Sequence, residues 1–204
     1  MSREADKPVD QLVCDFTSGA VAHRLRFGGG RGQTLPRAVG MKGGVTPRII
    51  DATAGLGRDA FLLASLGADV TLIERSAEMH RLLADAIEQA TDTGGEVADI
   101  VARMTLLQGD ARDLIPTLDA EVILIDPMHP PRKGSALVKK EMRLIREIVG
   151  TDPDAADLVR IALDHATKRV VLKWPRKADP LDGLPKYTHQ ILGKTTRYDV
   201  WMTS

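Results

Sequence analysis

Cysteine is almost missing from this chain: Cys14 stands alone among 204 residues. An internal disulfide and any cysteine-based zinc cluster are thereby excluded, and no metal site is expected. No histidine sits near Cys14 in a recognisable nucleophile pattern. Aromatic residues are also scarce, at 3%, so a stacking platform for single-stranded nucleic acid is not apparent. No run of about 18 uncharged apolar residues occurs, which argues against a transmembrane helix. The opening MSREADKPVDQ is polar and of mixed charge, unlike a signal peptide. A cytoplasmic protein with no membrane partner is expected; oligomeric state is not legible.

Acid is locally absent as well. Net charge is zero, yet Phe16 to Ile50 holds six basic residues and no Asp or Glu. Arg132 to Arg146 holds six against Glu141 alone, and Lys168 to Lys177 holds five with no acid. The acids gather between Asp85 and Glu121. A shared basic face would neutralise phosphates whatever the far side carries. Three separately solvated surfaces are the plainer alternative.

From residue 48 onward apolar runs alternate with helical patterns. RIIDAT (48–53), DVTLIER (69–75), MTLLQGD (104–110), EVILIDP (121–127) and RVVLKWP (169–175) read as strands. RDAFLLASLG (58–67) reads as a helix. So does the stretch after Ser76, where Met79, Leu82, Leu83, Ala86, Ile87 and Ala90 share a face, with TDTGG as the loop that follows. Two more helices are expected at 135–149 and 154–167. YTHQILG (187–193) and TRYDVWM (196–202) read as a closing hairpin. The expectation is an α/β, Rossmann-like fold with a seven-stranded, mostly parallel sheet and a C-terminal antiparallel hairpin. That ending suits S-adenosylmethionine (SAM) methyltransferases and not ordinary dinucleotide-binding sheets. Residues 1–47 fall outside the alternation and read as a basic N-terminal appendage with a Gly-rich loop; 48–204 read as the Rossmann-like domain.

The corner IIDATAGLGRDAF (49–61) is the outline of a nucleotide-binding turn. Gly55 and Gly57 let the backbone turn sharply and approach a ligand, and the next helix offers unpaired N–H groups. With Ala60, the string also satisfies the looser dinucleotide pattern, so the motif alone does not decide. Asp51, four residues before Gly55, would repel a pyrophosphate but accept from the ammonium of a methionine moiety. Arg58 and Asp59 stand where the amino-acid end of SAM would lie. Glu74, ending the second strand, suits both ribose hydroxyls in either cofactor class. Asp110, with Ala111, ends the third strand where an adenine amino group would be held.

The fourth strand ends in IDPMHPPRK (125–133). An exocyclic amine is a poor nucleophile because its lone pair is delocalised into the ring. Accepting its two protons on a carboxylate and a carbonyl favours the pyramidal form that attacks a methyl sulfonium. Asp126 and Pro127 are the candidates, with His129 in the position that stacks on the base, and positioning would supply much of the catalysis.

At this point HRLRFGGGRGQ, VGMKG, DATAGLGRDAF, Glu74-Arg75, DPM, SALVKKEMR and ATKRVVLK together resemble the ribosomal small-subunit methyltransferase J family. The resemblance runs from about Val13 to Met202 and implies SAM-dependent methylation of a guanosine N2 in small-subunit (16S) rRNA, near its 3′ end. It places cofactor contacts at Arg58-Asp59, Glu74-Arg75, Asp110-Ala111 and Asp126. His129 stands where that family carries an aromatic, and the family pattern also includes an additional N-terminal segment.

The partner implied is 16S rRNA or the 30S subunit. Arg31 in FGGGRG (27–32) is a candidate phosphate contact, though that loop reads equally as a lid over the cofactor. Lys133, Lys139, Lys140 and Arg143 are further candidates; Lys139, Lys140, Arg143 and Arg146 fall largely opposite an apolar stripe of Leu137, Val138, Met142, Ile145 and Ile148, and a solvated helix face is the alternative. Three rivals stand beside this reading: a nicotinamide-dependent reductase, a SAM-retaining assembly factor without turnover, and an amino-methyltransferase of small molecules or proteins.

Overall fold

The computed structural model describes residues 12–17, 30–128, 144–145, 147–148 and 154–203. After a short helix α1 (Thr34–Ala38), strands and helices alternate. They run β1 (Ile49–Asp51), α2 (Arg58–Ser65), β2 (Val70–Glu74), α3 (Ala77–Thr93), α4 (Gly95–Val101), β3 (Met104–Gln108), α5 (Ala111–Leu114) and β4 (Val122–Ile125). The chain then reaches α6 (Ala155–His165), β5 (Arg169–Pro175), β6 (His189–Leu192) and β7 (Thr196–Met202). Residues 144, 145, 147 and 148 are helical; the rest of the helix expected at 135–149 lies outside the described residues.

The seven strands form one sheet in the order β3-β2-β1-β4-β5-β7-β6. β1 to β5 are parallel, while β7 runs antiparallel to both β5 and β6. The inner parallel strands β1, β2, β4 and β5 are buried on both faces, so their side chains feed two cores in alternation, while β3 at the edge is half-buried. Ile49, Leu72, Val122, Leu124 and Val171 face α2, α3 and α4. Ile50, Ile73, Ile123, Ile125 and Leu172 face α6. The strand order reverses between β1 and β4, so the crevice at their carboxyl ends is where this architecture binds ligands.

Two features depart from the expectation. TDTGG is not a plain loop: α3 continues to Thr93, Gly94 turns at φ +73°, and α4 starts at once. Val97, Ile100 and Val101 supply the helical spacing that buries α4. The segment before β1 is also built into the domain. Leu35, Ala38, Val39 and Met41 join the core on the α2 side, and Phe16 stacks on Phe61 with ring centroids 4.8 Å apart.

Candidate active site

The site grows from the β1–α2 corner. Gly55 and Gly57 both take left-handed backbone, φ +54° and +66°, which L side chains rarely adopt. Their uses differ. A Cβ on Gly55 would meet nothing closer than 4.0 Å, whereas one on Gly57 would press Leu83 Cδ1 at 2.8 Å and Phe16 Cζ at 3.2 Å. Gly55 lines the cavity. Gly57, expected beside the ligand, does not line that cavity and lets α2 pack closely on α3.

Glu74 is buried at the end of β2. Its Oε2 accepts the Gly55 N–H at 2.9 Å and its Oε1 accepts the Ser76 N–H at 2.8 Å. A carboxylate fixed at both oxygens keeps lone pairs in reach of two vicinal hydroxyls. Arg75 pairs with Asp154, at 3.1 Å. Asp51 lies buried beneath the loop, accepting the Thr53 N–H at 3.2 Å. Burial, then the nearby Asp59 and Asp126, push its carboxyl up to about 7, against the lowering effect of the Thr53 amide and Lys173.

Thr53 joins this corner to β4, its Oγ1 accepting the Asp126 N–H at 2.7 Å. The Asp126 carboxylate meets a residue not assigned to the site from sequence, Lys173 of β5. Lys173 Nζ lies 2.6 Å from Asp126 Oδ2 and 2.6 Å from Asp59 Oδ2. Burial alone would lower the lysine's pKa, but the two carboxylates outweigh it and hold the ammonium above the ordinary range. Two sequence signals pointed to it, the acid-free 168–177 stretch and the place of Lys173 at the end of the fifth strand on the same edge of the sheet; the parallel pairing of Leu172 with Ile125 brings Lys173 level with Asp126.

At the far end Asp110 caps α5 by accepting the Arg112 N–H at 2.9 Å. Its carboxylate also takes the Arg112 guanidinium, Nε at 3.0 Å and Nη2 at 2.6 Å. The Arg112 hydrogen bond, with its charge and that of Arg75, holds the Asp110 carboxyl below the usual range. Arg112 reaches Asp154 at 3.2 Å as well, so two arginines tie the exits of β2 and β3 to the start of α6. Asp110 thus serves first as a cap and an ion-pair partner, and an adenine contact must share it with Arg112.

Asp51, Gly55, Arg58, Asp59, Glu74, Arg75, Asp110, Ala111, Asp126 and Pro127 all line one cavity of about 360 Å³. Five adjacent strand ends span roughly 19 Å at ordinary strand spacing. The donor set fits an adenosyl-amino-acid ligand: acids at the cationic end, a fixed carboxylate for the ribose, and an apolar wall of Ile73, Ala111 and Leu158. It fits a dinucleotide poorly. The amides of Thr53, Ala54, Gly55 and Gly57 are already taken by Asp51, Ile73, Glu74 and Ala54, so a pyrophosphate would not find them.

The RNA candidates fare unevenly. Arg31 donates to the carbonyls of Val45 at 2.7 Å and Leu66 at 2.9 Å. Leu66 closes α2 at the end remote from the corner, so Arg31 staples two backbone segments there. His129, Lys133, Lys139, Lys140 and Arg143 lie outside the described residues. Among the described residues no helix is long and apolar enough to cross a membrane, and no cluster of His, Cys, Asp or Glu could hold a metal.

Sheet order, reversal point and donor set together define a Rossmann-like SAM-dependent methyltransferase. A family model described as "Putative SAM-dependent methyltransferase" matches residues 1–203. The chain is 64% identical over 193 residues to ribosomal RNA small subunit methyltransferase J of Agrobacterium fabrum, covering 95% of this chain and 93% of that one. It is 63% identical to the protein of that name from Brucella anthropi, covering 99% and 98%. The solved structure of a SAM-dependent methyltransferase from Neisseria gonorrhoeae superposes with a TM-score of 0.74 at 36% identity, covering 94% of this chain and 74% of that one. The chain belongs to the ribosomal RNA small subunit methyltransferase J family. Matched over nearly their whole length, the first two relatives show that the additional N-terminal segment is not general among its members.

Proposed function

We propose that this chain transfers the methyl group of SAM to the N2 amine of a guanosine in 16S rRNA, within the 30S subunit or its precursor. The observation that carries the reading is the end of β4. Asp126 and Pro127 open into the same cavity as Asp51, Gly55 and Glu74, so an amine held there lies beside the cofactor corner. The printed names of the relatives from A. fabrum and B. anthropi support the substrate class.

In this reading Glu74 accepts the ribose hydroxyls, Asp51 and the first turn of α2 take the amino-acid end, and the Arg112 side of the cavity receives adenine. When bound, SAM supplies an electrophilic methyl on a sulfonium. Asp126 and the Pro127 carbonyl accept the two N–H protons of the guanine amine, which frees its lone pair. With SAM bound, that lone pair would be directed at the methyl the cofactor supplies, and Asp126 or water would take the surplus proton. His129 is proposed to stack on the base.

Phosphate contacts are proposed for Lys133, Lys139, Lys140 and Arg143. Arg176, Lys177 and Lys194 join them: they are exposed around the exit of β5 and the β6–β7 turn, where Pro175 pairs with Thr196. Such an rRNA substrate would place the protein in the cytoplasm.

The test is transfer of radiolabelled methyl from SAM to 30S subunits from cells lacking the enzyme, followed by nucleoside analysis. Label in N2-methylguanosine is expected. SAM binding without incorporation would favour a non-catalytic assembly factor, and label in another nucleoside would overturn the guanine-N2 assignment.

A further inference from the structure

We propose that Lys173 is a positioning residue for methyl transfer: its ammonium ties the Asp126 carboxylate to Asp59 and so locks the acceptor cage onto the cofactor corner. The inference rests on the reading of Asp126 as the group that receives the guanine amine. It adds a residue that neither the β4 motif nor the glycine corner contains.

The geometry is a bridge between two parts of the site that the chain supplies separately. Asp59 belongs to the first turn of α2, immediately after the glycine turn. Asp126 follows β4. Lys173 Nζ touches both, at 2.6 Å each. Asp126 is held through its backbone N–H by Thr53 Oγ1 at 2.7 Å and through its carboxylate by the ammonium. Held only through its backbone, a carboxylate would still turn about its own side-chain bonds. The second tie fixes the direction in which it meets the amine.

Stability alone does not explain the arrangement. The Asp126 side chain is 42% exposed, so that arm contributes about 0–1 kcal/mol, whereas the Lys173–Asp59 arm is more buried and its loss also costs stability. Positioning does explain it, because misplacing a reacting group by about 1 Å costs on the order of 10²-fold in rate. Charge fits as well. Asp51, Asp59 and Asp126 surround one ammonium, with Tyr198 paired opposite Lys173 on β7. The acids outnumber the lysine, so the cluster attracts a cationic ligand without losing its internal bridge.

The experiment is steady-state methyl transfer to undermethylated 30S subunits by Lys173→Met, Lys173→Gln and Lys173→Arg, with Asp126→Ala in parallel. SAM affinity is measured separately by calorimetry. Lys173→Met is expected to lose roughly 100-fold in kcat while SAM affinity stays within about 3-fold, less than one hydrogen bond's worth. Lys173→Arg, whose fork also bridges two carboxylates, should recover most of the rate. Lys173→Gln keeps a donor without the charge, should fall between them, and decides the matter if Lys173→Met does not fold. A kcat within about 3-fold of the wild type for a folded neutral variant, far below the expected positioning effect, would overturn the proposal. So would a loss confined to SAM binding. If Asp126→Ala keeps its turnover, the acceptor-cage reading itself fails, and this inference falls with it.

Discussion

Glu74 accepts the amide of Gly55 at 2.9 Å, so the acid that ends β2 and the turn that follows β1 hold each other in place. The cofactor turn is therefore preorganised by the side chain that would also bind the ribose. A residue with both duties should show both losses when it is removed.

Glu74→Ala leaves the Gly55 and Ser76 amides without their acceptor. A loss of about 2 kcal/mol of stability is expected from the unpaired donors, and SAM affinity should fall on the order of 10²-fold. Thermal unfolding without ligand and calorimetric titration with SAM measure the two separately. Unchanged SAM affinity would remove Glu74 from the cofactor site.

The two corner glycines should separate in the opposite sense. Gly57→Ala forces a left-handed backbone and drives a methyl into Leu83 and Phe16. A cost of roughly 3 kcal/mol follows, a fall in Tm of roughly 9 °C. Gly55→Ala carries the backbone strain but opens into the cavity, so it should cost less stability and more SAM affinity. Equal stability losses would contradict this division.

Asp51 predicts a pH dependence with a definite sign. Its carboxyl is pushed up to about 7 in the folded protein from an ordinary 3.8. Between those values the folded state holds a proton that the unfolded state has lost. Stability attributable to Asp51 therefore falls as pH rises through that window, by at most about 1.4 kcal/mol per pH unit, and levels off above it. A ligand ammonium beside Asp51 favours the ionised form, so SAM affinity should rise with pH up to about 7 and then flatten. Titrations from pH 5.5 to pH 8 on the wild type and Asp51→Asn check it, the expected contrast being a rise of at most about tenfold per unit against a flat line. A wild-type affinity independent of pH would place the ammonium elsewhere.

Asp126→Ala should reduce kcat on the order of 10³-fold, because it removes the acceptor of the amine, and should weaken SAM binding by a smaller factor, because Asp126 stands where cofactor and acceptor meet. Single-turnover transfer to 30S subunits measures it. His129→Phe should keep most activity and His129→Ala should lose it if the ring stacks on the base.

The sheet was legible because its strands are continuous apolar runs separated by amphipathic helices, and because the last two runs are joined by a turn too short for a crossover. The order of Asp51, Glu74, Asp110 and Asp126 along the sheet edge was legible for the same reason: each ends a strand. What sequence concealed were relations across strands. Lys173 lies 47 residues from Asp126 and 114 from Asp59, and only the β4–β5 register makes them neighbours. Arg112 was hidden behind Asp110, which it neutralises. Arg31 looked like a free cation in a glycine-rich loop, since local composition does not reveal backbone carbonyls 14 and 35 residues away. The apolar residues of 34–41 lacked the length of a confident helix, so their place in the core went unread.

The same cross-strand logic sharpens the choice of RNA contacts. Lys173 is engaged by two carboxylates inside the site and Arg31 donates to two backbone carbonyls, so exposed lysines are the more direct choice. Lys177 and Lys194 are exposed, and the pairing of Pro175 with Thr196 brings their segments together at the edge where Asp126 opens. Each phosphate contact removed from a duplex-like site should flatten the plot of log affinity against log salt by about 0.9, or about 0.7 on a single strand. Lys177→Glu with Lys194→Glu is therefore expected to weaken 30S binding at low salt and reduce that slope by between about 1 and 2, with SAM affinity untouched. Filter binding across a salt series measures it. An unchanged slope would mean the RNA approaches from the side of Lys133 to Arg143 alone, leaving the hairpin outside the interface.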